Sequence, residues 1–168
     1  MTADQTVLNR ARWVIGFVIF GLVMSGVTAF PLRWELGILT QLVTGADGQS
    51  PRFGAFPGLT EWVLRVRDGL EETGERFPFL AYGTDWLAFG HLTIALFFVL
   101  PFRDPIRFRP VLWVGVVASI LVIPTAMICG EIRGIPWFWR MIDCGFGVGC
   151  IIPLWWALRL IPVAADSR

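Results

Sequence analysis

A single histidine, His91, and a small set of acids, arginines and cysteines are the residues of this chain suited to chemistry. Asp85 lies six residues before His91. Cys129, Glu131 and Arg133 follow one another closely, and Arg140, Asp143 and Cys144 come just after Pro136. A histidine near carboxylates suits a base, a metal ligand, a quinone hydrogen-bond partner or an axial ligand to haem or pigment. Arginines near carboxylates equally suit an ion-pair network that ties a loop to its helices. No catalytic residue is assigned; were the chain an enzyme, the candidates would be His91, Asp85, Asp143 and Glu131. Those for ligand binding are His91, Asp85, Arg133, Arg140 and Asp143.

The harder chemistries lack their residues. A bis-histidine haem needs two histidines, and the chain has one. Neither CxxCH nor CxxC occurs. HExxH, GxSxG and the P-loop are absent too. His91 with cysteine or carboxylate ligands has no metal-site spacing, so no metal centre is expected and no cofactor is named. Cys129 and Cys144 pair as a disulfide if both reach the outer surface; packing thiols are the alternative. Cys144 and Cys150 are six apart, on different faces of one helix.

The elements that position these residues follow from composition. Of 168 residues, 55% are hydrophobic and only 16% charged, against about 25% charged in soluble domains. Mean hydropathy is +0.65. A net charge of +1 leaves no strong basic field for nucleic acid. A bilayer core of about 30 Å needs about 20 mostly apolar helical residues. Charges near its centre are costly, so uncharged runs mark spans. Four uncharged runs stand out, 13–32, 86–102, 110–130 and 144–158; with Pro136 at its start, Arg140 and Asp143 at the outer interface and Arg159 snorkelling at its end, the fourth span is predicted over 137–160. The runs lack strand alternation, so helices are expected. Leu36 to Ala46 is too short and is expected to be a helical extension or interfacial segment. Arg10 and Arg12 before an apolar run, with Val27-Thr28-Ala29, imitate a signal peptide. The run to Leu32 is long enough to span, so a retained span is expected.

All basic residues are arginine, 14 in number. Arg10 and Arg12 precede span one, Arg103, Arg107 and Arg109 lie between spans two and three, and Arg159 and Arg168 close the chain. The first loop, 33–84, carries acids in excess. The positive-inside rule then places both termini in the cytoplasm. Trp13, Trp34, Trp86, Trp113, Trp137 and Trp139 fall near span ends, as in an aromatic belt.

Loop 33–84 is long enough to hold structure of its own. Thr60 suits an N-cap and Gly74 a stop, with Trp62, Val63, Val66 and Leu70 at helical spacing between them. Arg65, Asp68, Glu71, Glu72 and Glu75 give that helix a charged face. It is expected to lie on the outer surface, either on lipid or over the bundle. Gly45 to Gly58 reads as irregular chain. Thr84 suits the N-cap of span two, and Pro136 suits the first turn of span four.

Gly145 and Gly149 form a GxxxG pair with Gly147 between them, and Gly21, Ser25 and Ala29 form a weaker small-residue row. Intrachain helix packing is the expected use, and a homodimer face the alternative. Pro124 and Pro153 interrupt spans three and four, but no repeat relates the halves, so transport is a minor reading.

Two stretches carry a resemblance: Tyr82-Gly83-Thr84-Asp85-Trp86-Leu87-Ala88-Phe89-Gly90-His91, and Ile132-Arg133-Gly134-Ile135-Pro136 through Trp139-Arg140-Met141-Ile142-Asp143-Cys144. Over residues 78–162 the chain resembles small, uncharacterised four-span bacterial membrane proteins. The resemblance implies a bacterial four-span protein and brings no catalytic residue with it.

The whole reading is an all-α integral membrane four-helix bundle, one domain over 1–168, with an amphipathic interfacial helix in its first external loop. The expected site is the bacterial cytoplasmic membrane. The expected role is a non-enzymatic accessory or interaction subunit, with the lipid bilayer and other membrane subunits, or itself, as partners. The alternative is a small membrane enzyme, or a protein binding quinone, pigment or another lipophilic ligand, with an outward-facing polar cluster around His91.

Overall fold

The computed structural model describes residues 3–44, 52 and 57–162. Its described residues form helices and turns: α1 (Ala3–Ala29), α2 (Leu32–Val43), α3 (Pro57–Arg76), a 3-10 turn (Pro78–Ala81), α4 (Tyr82–Arg103), α5 (Arg109–Ile132) and α6 (Trp137–Leu160). Most of the irregular stretch expected over Gly45 to Gly58 lies outside the described residues. Two compact units divide the chain: Met1–Val23 with Thr93–Arg168, and Met24–Leu92.

Four stretches are long and apolar enough to cross a membrane: Gln5–Ala29, Pro78–Arg103, Arg109–Ile132 and Trp137–Leu160. The first begins earlier than the expected Trp13, because the helix continues through Arg10 and Arg12. It ends at Ala29, before Pro31, and Leu32 already belongs to α2. At about 1.5 Å per residue, α2 is roughly 18 Å long and cannot cross about 30 Å of hydrocarbon.

In the first unit, α1, α4, α5 and α6 all contribute to one apolar core. Ala11 and Ile15 of α1, Phe98 of α4, Leu112 and Val116 of α5, and Leu154 of α6 are buried there. Lipid tails are as apolar as these side chains, so close fit rather than escape from water must hold the helices together. Gly147 supplies such a fit: a Cβ there would lie 2.7 Å from the Ser119 backbone oxygen. Gly115 does the same beneath Phe98, 2.5 Å from its Cζ.

The turn between α5 and α6 is a Schellman motif. Ile135 N donates to Gly130 O at 2.9 Å and Gly134 N to Glu131 O at 3.1 Å. Gly134 sits at φ +68°, a conformation that glycine adopts without a Cβ clash. Pro136 then caps α6, its carbonyl accepting from Trp139 N at 3.0 Å and Arg140 N at 3.1 Å. The turn after α4 closes on Asp104, whose Oδ1 accepts from Arg107 N at 3.0 Å.

In the second unit, α2 and α3 form an antiparallel hairpin. Leu36, Thr40 and Val43 of α2 are buried, as are Thr60 and Val63 of α3. Thr60 Oγ1 donates to Val43 O at 3.3 Å, and at the far end Arg33 donates to Leu70 O at 3.4 Å. Thr60 is therefore not the expected cap. The helix starts at Pro57, which suits a first turn, and the hydroxyl serves a tertiary contact instead. Nor does Gly74 stop α3, which runs on to Arg76. A Cβ at Gly74 would collide with the guanidinium of Arg33, so the glycine makes room for it. Thr84 is likewise no N-cap: its hydroxyl donates to Ala81 O at 2.6 Å, inside a helix already begun at Tyr82.

Candidate functional site

The polar residues singled out in the sequence belong to both units. Cys129, Glu131, Arg133, Arg140, Asp143 and Cys144 lie in the first, around the α5–α6 turn; Asp85 and His91 lie in the second.

Around the turn, Arg140 is the organising side chain. Its stem runs over Gly130, where a Cβ would come 2.6 Å from Cδ and 2.7 Å from Cγ. Its head forms an ion pair with Glu131 and donates to Met127 O at 3.4 Å. The α5 C-terminus leaves carbonyls without helical donors, and a cation there also meets the negative end of the helix dipole. Arg140 thus serves both the Met127 carbonyl of α5 and the nearby carboxylate.

Arg133 and Asp143 line an open groove of about 440 Å³ with Thr125, Cys129 and Gly130. Neither side chain forms an ion pair among the described residues. The three cysteines are free thiols, so the Cys129–Cys144 disulfide is not formed. Cys144 is buried and its Sγ lies 3.9 Å from Ile123 O, as a packing thiol would. No group of three His, Cys, Asp or Glu with metal-holding geometry occurs among the described residues.

On α4, Asp85 is exposed in the first turn, where the helix dipole favours a carboxylate. His91 is half-buried and its Nδ1 lies 2.9 Å from Leu87 O. A carbonyl only accepts, so Nδ1 carries the hydrogen and neutral His91 presents its lone pair at Nε2. Six residues separate Asp85 from His91, about 9 Å along the helix and about 120° around it. The two do not form an acid–base pair through their own helix. Tyr82, Trp86 and Phe89 stack edge to face beside them, with centroids 5.9 and 5.7 Å apart.

The glycines divide differently from the sequence expectation. A Cβ at Gly145, Gly149 or Gly21 would meet nothing within 4 Å. The close approaches fall on Gly147, and on Gly26, where a Cβ would lie 3.0 Å from Ala88 O. Ser25 contributes its carbonyl to Thr28 Oγ1 at 3.4 Å. Composition marks small residues but not the helix rotation that turns one of them toward a neighbour.

The sequence reading missed a second groove, between α1 and α6, of about 770 Å³. Arg10, Trp13, Phe17, Gly149, Ile152 and Trp156 line it. The signal was present in α6, where Gly149, Ile152 and Trp156 recur at helical spacing.

Comparison of the chain with protein-family models, with curated proteins and with solved structures finds no match. The class rests on the helices themselves. With four helices long and apolar enough to span, this is a multi-pass α-helical membrane protein. Large apolar side chains such as Phe20 (63% exposed), Leu96 (69%) and Val114 (68%) face outward along those helices, as a lipid solvent permits.

Proposed function

We propose that the chain is a non-enzymatic interaction subunit of a membrane complex, a four-helix bundle presenting a helical hairpin to its partner. The observation that carries this reading is the α2–α3 hairpin. Its inner face is buried, while Glu61, Arg65, Asp68, Glu71, Glu72 and Glu75 remain exposed along α3. Glu71 and Glu75 form no ion pair among the described residues. A charged row held on a folded support is a recognition surface whose charge pattern selects its partner.

The arginine distribution supports cytoplasmic termini, which puts the hairpin outside. The interfacial element is then α2. Opposite its buried face it exposes Trp34, Ile38 and Leu42, four residues apart, a stripe suited to lipid. That stripe leaves α3 to face water. The resemblance over residues 78–162 supports a bacterial cytoplasmic membrane as the location.

Co-purification from the source membrane tests the reading. Combined E71Q, E72Q and E75Q substitutions release the partner, while H91A retains it. Release by H91A and retention by the α3 variant overturn the proposal.

A second reading has its own observation. The lone pair of His91 at Nε2 is directed by the Nδ1 bond to Leu87 O, which suits a ligand with a donor group or a metal. Under it, this protein is a small membrane enzyme or binds a quinone, pigment or other lipophilic molecule. A stoichiometric small molecule lost in H91A favours this alternative.

A further inference from the structure

One end of the first unit gathers arginines. Arg12 of α1 donates to Arg103 O of α4 at 3.3 Å, and Arg109 of α5 donates to Leu158 O of α6 at 3.4 Å. These bonds bring the ends of α4, α5 and α6 to the level of Arg12 on α1. Arg10 precedes Arg12 by two residues on α1, and Arg107 and Arg159 belong to the turn after α4 and to the last turn of α6, with Asp104 as the acid there among the described side chains. The groove between α1 and α6 opens at this end. Arg10 is its one charged lining residue, and Trp13, Phe17, Ile152 and Trp156 give it apolar and aromatic walls.

We infer that this groove holds a membrane phospholipid with an anionic headgroup, its phosphate at Arg10 and one acyl chain between α1 and α6. The depth of the groove chooses the occupant. From Arg10 to Phe17 is roughly 10 Å along α1, against roughly 15 Å for one leaflet, half of a core of about 30 Å. The groove therefore starts at headgroup level and ends within the same leaflet. A partner's transmembrane helix would need a face along the full thickness; an acyl chain enters from one side only. Charge chooses the headgroup. A guanidinium binds phosphate with two parallel hydrogen bonds, and the neighbouring arginines add a field that favours anionic over zwitterionic lipid. The tryptophans sit where amphipathic rings meet headgroups.

The test is native mass spectrometry of the full chain in mild detergent, with dioleoyl phosphatidylglycerol or dioleoyl phosphatidylcholine added. One phosphatidylglycerol is expected to be retained, about fivefold more tightly than phosphatidylcholine. R10Q reduces phosphatidylglycerol toward the level of phosphatidylcholine. G149L fills the groove and weakens both lipids; its site has open space around Cβ, so the fold tolerates it. Circular dichroism checks that tolerance, and R10Q decides alone if G149L unfolds. Unchanged lipid preference in R10Q overturns the assignment. So does unchanged retention in folded G149L. Glycerol phosphate displacing the lipid at equal concentration would assign the site to a free phosphate. A dimer lost in G149L would assign the groove to a second copy of the chain.

Discussion

The stem of Arg140 lies across Gly130, so that a Cβ at residue 130 would come 2.6 Å from Arg140 Cδ. Glycine at 130 thus leaves room for that stem at the α5–α6 turn. The guanidinium then meets Glu131 and Met127 O, one turn below the Schellman motif that reverses the chain. G130V should displace Arg140 and cost about 1–3 kcal/mol, the range for overpacking. Glu131 is 72% exposed, so E131Q should cost less than about 1 kcal/mol. Thermal unfolding in detergent measures both, and an equal loss in the two variants would refute this ordering.

Gly147 and Gly145 give a sharper contrast. At Gly147 the obstacle is the Ser119 backbone oxygen at 2.7 Å, which no rotamer change relieves. G147L should force α5 from α6 and cost at least about 2 kcal/mol, within or above the overpacking range. G145L meets open space and should leave the monomer within about 0.5 kcal/mol of the parent. Unfolding midpoints of the two variants, compared at equal detergent, decide this.

His91 should be the Nδ1–H tautomer when neutral, because Leu87 O can only accept. Nitrogen-15 chemical shifts of the imidazole read this directly. A protonated Nε2 with a bare Nδ1 would contradict the placement. Loss of the hydrogen bond in H91A should cost about 0.5–1.5 kcal/mol.

The four spans were legible because charge is costly in hydrocarbon, so long uncharged runs mark them. Their ends were not set by charge: α1 continues through Arg10 and Arg12, α4 begins at Tyr82, and α6 takes in Arg140, Asp143 and Arg159 beyond the uncharged run 144–158, its start at Trp137 legible from Pro136. The helix starts were less legible. Thr60 and Thr84 both look like caps, yet both hydroxyls bond elsewhere, one across the hairpin and one back to the preceding turn. A cap is a local rule, and tertiary or backbone carbonyls compete for the same hydroxyl. Of the polar cluster, the Arg140–Glu131 pairing follows from two helices meeting at a short turn. Which glycine packs depends on how α6 is rotated, and residues 145, 147 and 149 are alike in sequence.

Orientation has its own test. With cytoplasmic termini, D104C should resist a membrane-impermeant maleimide added outside intact cells, and R133C should react. Both residues are exposed, so reactivity reports the side of the membrane. The reverse pattern would invert the topology and place the α3 face inside.

The role as an interaction subunit is most directly tested by a native mass spectrum of the protein gently extracted from its source membrane. An assembly with different chains, kept in H91A and dissolved by E71Q, E72Q and E75Q together, is the expected result. A lone chain carrying a stoichiometric non-lipid molecule that disappears in H91A would contradict it.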